Sequence, residues 1–248
     1  MFTPDLIANK AINKRAFACF GLILAAGVLA SCAALPDKPV RPVLYDFGPG
    51  AVTAQPQGLE VRLPAVALED ITTAGGALDN TALLYRLGYT NAQQLRPYAA
   101  ARWSTPPAQL VRQRLREKLS ERRAVFGARE ALALVRPALP MDPVVPGSLP
   151  PDGMTALLPL RLRLELEEFS HLFTAPQTSV GVIRLRATLI DISRGREQLV
   201  GQRSIIAQRA AATADAPGGV RALSEATDAA IAELAQWLQT AQAAKLQR

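Results

Sequence analysis

Three stretches in the second half of this 248-residue chain alternate apolar and polar residues step by step. That alternation limits the fold more than any other feature. Leu160, Leu162, Leu164 and Leu166 fall on one side of an extended chain, and Arg161, Arg163, Glu165 and Glu167 on the other, because successive strand side chains point to opposite faces. Ile183, Leu185, Ala187 and Leu189 repeat the pattern, opposed by Arg184, Arg186 and Thr188. A turn at Ser193-Arg194-Gly195-Arg196 leads into a third strand, Gln198 to Gln208. Short connections between three such strands predict an antiparallel meander. Opposite charges on its polar face can pair across strands, each pair contributing ~0.2–1 kcal/mol.

A long helix is predicted from about Pro217 to Ala241, with Val220, Leu223, Thr227, Ala230, Leu234, Leu238 and Ala241 as its apolar stripe and Trp237 beside it. An earlier helix has Thr105 as cap and Pro106 at its first position, then Ala108, Val111, Leu115 and Leu119 at helical spacing. Further strands are expected at Val43–Phe47, ended by Gly48-Pro49-Gly50, and at Leu59–Leu63, Ala82–Leu87 and Leu95–Ala99. Pro97 makes the last of these an edge strand or a bulge. Seven prolines between Pro137 and Pro159 mark a long loop. The fold class is α/β (α+β): a single domain, its mixed or antiparallel sheet carrying two main helices.

The search for chemistry returns little. His171 is the only histidine, placed in Glu168-Phe169-Ser170-His171-Leu172-Phe173 at the end of an alternating strand. Histidine metal sites need several such ligands, and a catalytic triad would depend on this one residue. Gly218-Gly219 lacks the lysine of a phosphate loop. Glu165 and Glu167 stand among arginines, where ion pairing accounts for them. The expectation is a protein without catalysis, metal or cofactor.

The amino-terminal part sets the compartment. Lys10, Lys14 and Arg15 precede a 14-residue uncharged apolar run, Ala16 to Leu29, and then Leu29-Ala30-Ser31-Cys32. A basic start, an apolar core and a small-residue exit make an export signal. The run is too short for an untilted bilayer span of ~20 residues. The Leu-Ala-Ser-Cys sequence resembles the bacterial lipobox, which implies a diacylglycerol thioether on Cys32, cleavage before it, and acylation of the new amino terminus. Covalent lipid on Cys32 is therefore the only attached group expected. Each buried methylene contributes ~0.8 kcal/mol to membrane anchoring. Cys19 would leave with residues 1–31, so no disulfide is expected.

Removing residues 1–31 leaves 217 residues, enough for one sizeable core, and lowers the net charge from +7 to +5. In an exported protein a basic balance points to anionic headgroups or acidic protein surfaces rather than nucleic acid. Residues 32–42 hold three prolines, Pro36, Pro39 and Pro42, and read as a semi-stiff tether. At ~3.1 Å per residue it would reach roughly 30 Å. Alanine rather than aspartate follows Cys32, a pattern that resembles the outer-membrane sorting signal of Gram-negative lipoproteins. The expected location is the periplasmic face of the outer membrane.

Four local patterns occur in order along residues 43–243. They are Tyr45-Asp46-Phe47-Gly48-Pro49; Leu83-Leu84-Tyr85-Arg86 with Tyr98-Ala99-Ala100-Ala101-Arg102-Trp103 and Pro106-Pro107; Glu168-Phe169 with Ser179-x-Gly181; and Asp215-x-x-Gly218-x-Val220-x-Ala222-Leu223-x-x-Ala226, ending at Trp237. Together they resemble the ABC-type transport auxiliary lipoproteins, the PqiC-like family. The proline-rich loop, read as running from Gly127 to Ala156, has no counterpart in the resemblance. What the resemblance implies is an α/β sandwich, and a lipoprotein subunit of a transenvelope lipid-transport system. Its partners would be a periplasmic MCE-domain protein and an inner-membrane permease, and docking on a ring-shaped partner would favour a homo-oligomeric ring.

Within that picture Tyr45, Phe47, Tyr98, Arg102 and Trp103 are the candidate partner contacts, since Tyr, Trp and Arg dominate binding hot spots. The plainer alternative is that Trp103 and Tyr98 cover the end of the sheet beside the first helix. Other classes of function stay open at the level of sequence: a lipid-binding carrier with its own cavity, an outer-membrane assembly or pilot lipoprotein, and, last, an exported hydrolase.

Overall fold

The alternating strand that begins at Leu160 becomes the template for the rest of the sheet. The computed structural model describes residues 41–50, 63–133, 158–193 and 196–247. In chain order the elements are β1 (Val43–Tyr45), β2 (Val66–Leu68), β3 (Thr72–Thr73), a 3-10 turn (Gly76–Leu78), β4 (Ala82–Leu87), α1 (Gly88–Asn91), β5 (Ala92–Trp103), α2 (Pro107–Ser120), β6 (Val125–Gly127), α3 (Ala128–Ala133), β7 (Leu160–Ala175), β8 (Thr178–Asp191), β9 (Gln198–Ala210) and α4 (Ala216–Leu246). Cys32, the export signal, positions 59–62 of the expected second strand and positions 134–157 of the proline-rich loop lie outside the described residues.

One edge of β7 pairs antiparallel with β8 from Arg161↔Ile190 to Ala175↔Thr178, and β8 pairs antiparallel with β9. This is the meander expected from the alternation. The other edge of β7 is tiled by three short parallel strands: β2 beside Leu160–Leu162, β3 beside Glu165–Leu166 and β4 beside His171–Phe173. β6 adds parallel to β2, and β5 antiparallel to β4; β1 lies parallel to β5. Among the described residues the result is a single mixed nine-stranded sheet.

Both main helices cover the apolar face. Leu160, Leu162, Leu164 and Leu166, with Ile183, Leu185, Ala187 and Leu189, join one core with Leu223, Ala230, Leu234 and Leu238 of α4 and Val111, Leu115 and Leu119 of α2. Each large aliphatic side chain buried this way contributes about 1.5–3 kcal/mol. Asp215 caps α4, its carboxylate accepting from the Gly218 N–H at 2.8 Å. Across the helix pair, the Arg114 guanidinium donates to both Asp228 oxygens at 2.7 and 3.0 Å. The opposite face of the sheet carries the charges, paired as expected: Arg186 with Glu165 and Glu167, Arg161 and Arg163 with Glu69, and Arg86 with Glu168.

Several expectations need correction. The first helix begins at Pro107, with Pro106 as an N-cap that has no side-chain bond. The reason is local: a residue before proline is kept out of the helical region, and Pro106 sits at ψ 141°. The strand predicted at Leu95–Ala99 runs from Ala92 to Trp103, and both readings of Pro97 hold. It lies opposite Leu84 at a register shift, on an edge that has no partner over Ala92–Ala100 among the described residues. Within the stretch assigned to loop from Gly127 to Ala156, Gly127 ends β6 and Ala128–Ala133 form α3. Leu63 is not in a strand; its N–H bonds the Arg122 carbonyl at 3.2 Å. Arg123, beyond α2, is buried, and its guanidinium donates to the Gln242 side-chain oxygen.

Candidate functional site

The residues singled out as contacts converge on the β1–β5 end of the sheet, where they divide into an inner and an outer set. Register pairs Tyr45 with Trp103 and Leu44 with Arg102. Trp103 is 1% exposed, contrary to a contact role for its own surface. Its ring meets Phe47 edge-on at 5.7 Å and Phe169 at 5.6 Å. Tyr45 and Phe47 are half-buried and pack against the core. Arg102 alone of the five is fully on the outside, beside Leu44, which is 64% exposed. Sequence reasoning missed Leu44 and Val43 as surface groups, because a three-residue strand of consecutive apolar residues carries no alternation to show which side is covered.

Tyr98 serves a second aromatic group. Its hydroxyl shares a hydrogen bond of 2.8 Å with His171 Nδ1, and its ring lies 4.7 Å from Tyr85. His171 also lies tilted against Phe173, ring centroids 4.5 Å apart. The sequence placed His171 at the end of a strand, but β7 continues to Ala175 and the imidazole is 0% exposed. The cause is a bulge between Leu166 and Glu168, after which Phe169, His171 and Phe173 take the inward side. Gly219 of α4 rests directly on the ring: a Cβ there would come 2.4 Å from Nδ1. Nε2 has no partner among the described residues.

Burial, partly opposed by nearby Asp215, pushes the His171 pKa down to about 4. Burial also raises the Tyr98 phenol, with Tyr85 and Asp215 adding to it. At neutral pH the imidazole is therefore uncharged, with one nitrogen bound to a phenol and no hydroxyl or thiol nucleophile bonded to the other. The pair is built to hold β5, β7 and α4 together. No group of three or more His, Cys, Asp or Glu among the described residues could hold a metal ion.

A pH dependence follows. Between pH 6.5 and about 4 the unfolded chain binds a proton on this imidazole that the folded chain refuses, so stability rises with pH across that window. Relative to pH 7, roughly 3 kcal/mol should be lost by pH 4. Urea unfolding at a series of pH values checks this: the slope should flatten in His171→Phe.

A cleft of about 1170 Å³ lies between α2, α4 and the loop after β1, lined by Phe47, Arg114, Glu117, Asp228 and Ile231 among others. Its walls mix both signs of charge, unlike the apolar lining that acyl chains require. Among the described residues no helix is long and apolar enough to cross a membrane.

No family model matches the chain, and no curated protein matches it either. Among solved structures it is similar to protein XCC0632 from Xanthomonas campestris, described under family model DUF330: TM-score 0.57, 15% identity, covering 84% of this chain and 98% of that one. An uncharacterised protein gives TM-score 0.48 at 15% identity, over 80% and 99% of the two chains. Lipoprotein GNA1162 from Neisseria meningitidis gives 0.31 at 13% identity, over 68% and 99%. The first establishes a shared mixed α/β fold; the other two carry no argument.

Proposed function

We propose that this chain is a non-catalytic outer-membrane lipoprotein subunit of a transenvelope lipid-transport system of the MCE/Pqi type, which docks the periplasmic MCE-domain component at the outer membrane. One observation carries the reading furthest. The first strand follows directly on the expected tether, and there Leu44 and Arg102 stand exposed side by side on the face opposite Trp103. An exposed arginine, backed by the rigid Phe47–Trp103–Phe169 cluster, has the make-up of a binding hot spot. The lone histidine, neutral and locked against a phenol, supports a role without catalysis. The charged walls of the cleft support docking over carriage of lipid.

Two experiments test the proposal. Metabolic palmitate labelling should mark the wild-type chain and fail in Cys32→Ser, which should move from the membrane to the soluble fraction; an unlabelled, freely soluble wild type rejects the anchor. Leu44→Asp with Arg102→Glu should leave thermal unfolding unchanged while lowering recovery of the MCE component at least tenfold. Undiminished recovery rejects the contact surface.

A further inference from the structure

Among the described residues the sheet ends in five edges, and four of them are blunted. β1 and β6 are three residues long and β3 two, and β5 carries Pro97 together with a register shift. Short edges, prolines and bulges are devices by which proteins prevent pairing with foreign strands. β9 lacks them over most of its length. It is 13 residues long and free of proline, with its single irregularity near its start. Its outer edge has no partner among the described residues, and Leu199 and Ile206 on it are 69% and 53% exposed.

The surroundings of this edge suit a side chain arriving with an added strand. Gly201 places no side chain of its own over the Trp237 indole, which lies 3.5 Å from where a Cβ would stand. Beside it a hollow of about 210 Å³ is lined by Arg203, Glu233, Gln236, Trp237 and Thr240. Eight residues further along the strand, Arg209 bonds only the Gln208 carbonyl and makes no ion pair among the described residues. β9 itself contains no carboxylate.

From this we infer that β9 is a docking edge for an extended segment of a partner protein, added as a tenth strand. The segment places an apolar side chain against Trp237 and an acidic one beside Arg209. Main-chain hydrogen bonds then supply affinity, and the two flanking contacts supply selectivity. Charge argues against the β9 edge of a second copy as the occupant. Antiparallel self-pairing about Ser204 sets Arg203 diagonally from its own counterpart, ~7 Å away, and faces Arg209 with Leu199, giving it no acid.

A fluorescent nine-residue peptide of threonine and valine, with leucine near one end and glutamate near the other, is the probe; a twin carries lysine in place of glutamate. Against the full-length chain in detergent, the glutamate peptide should bind about tenfold tighter than its twin, and Arg209→Glu should reverse that preference. Amide exchange should slow on alternate residues of β9. Equal binding of both peptides, protection confined to other strands, or no saturable binding up to millimolar concentration would overturn the inference. A dimer in sedimentation that Ile206→Lys dissolves would also overturn it, assigning the edge to a second copy.

Discussion

Trp103→Ala should cost the fold about 3–5 kcal/mol, the largest loss expected from any single side-chain truncation here. The indole is 1% exposed and wedged between Phe47 and Phe169, so its removal leaves a cavity that β1 and β5 cannot close without losing their register. Arg102→Ala, one residue away but on the open face, should change stability by less than about 0.5 kcal/mol. Equilibrium denaturation of the two variants side by side measures the contrast. Equal effects would mean that the strand's two faces are not distinguished as described. Because Trp103 is committed to the core, any loss of partner binding in Trp103→Ala reports on folding, whereas a loss in Arg102→Glu reports on the surface.

Gly181→Ala is expected to destabilise by about 3 kcal/mol, the upper end for overpacking by one methyl. A Cβ on Gly181 would stand 2.4 Å from both the Ala222 carbonyl carbon and the Leu223 nitrogen. These are backbone atoms of α4, so no rotamer change relieves the contact and the helix must lift from β8. Gly201→Ala is the matched control. There the nearest atom is a Trp237 ring carbon at 3.5 Å, ordinary van der Waals distance, and thermal unfolding should shift little. A shift in Gly201→Ala as large as that in Gly181→Ala would remove close helix–sheet approach as the explanation.

How much the sequence disclosed depended on whether an element has two different faces. β7, β8 and α4 each have one wet side and one dry side, so Leu160 to Leu166, Ile183 to Leu189 and the Val220-to-Leu238 stripe announced them. β2 did not, because Val66, Ala67 and Leu68 are all buried, and a strand covered on both faces shows no alternation. β6 and α3, at three and six residues, span fewer than two full periods of their own patterns. The candidate site was legible in part. Tyr45, Phe47, Arg102 and Trp103 do gather at one end of the sheet, but the bulge at Leu166–Glu168 that turns His171 inward towards Tyr98 shows in the sequence only as the doubled carboxylate Glu167-Glu168, which breaks the alternation without telling which residues then turn inward.

The three short strands along β7 have a consequence for the order in which the molecule can assemble. Val66 must wait for Leu160, 94 positions later in the chain, whereas β7, β8, β9 and α4 meet neighbours close in sequence. Contacts that close long loops form late, since their entropy must be met before they return any energy. A chain emerging amino end first, by synthesis or through a translocation pore, therefore carries β2, β3 and β4 well before the strand that templates them appears. Until then the leading half holds only the pairings it makes within itself, β1 and β4 with β5 and β2 with β6. That makes it the stretch most in need of a chaperone and the first to be clipped by a protease when emergence stalls.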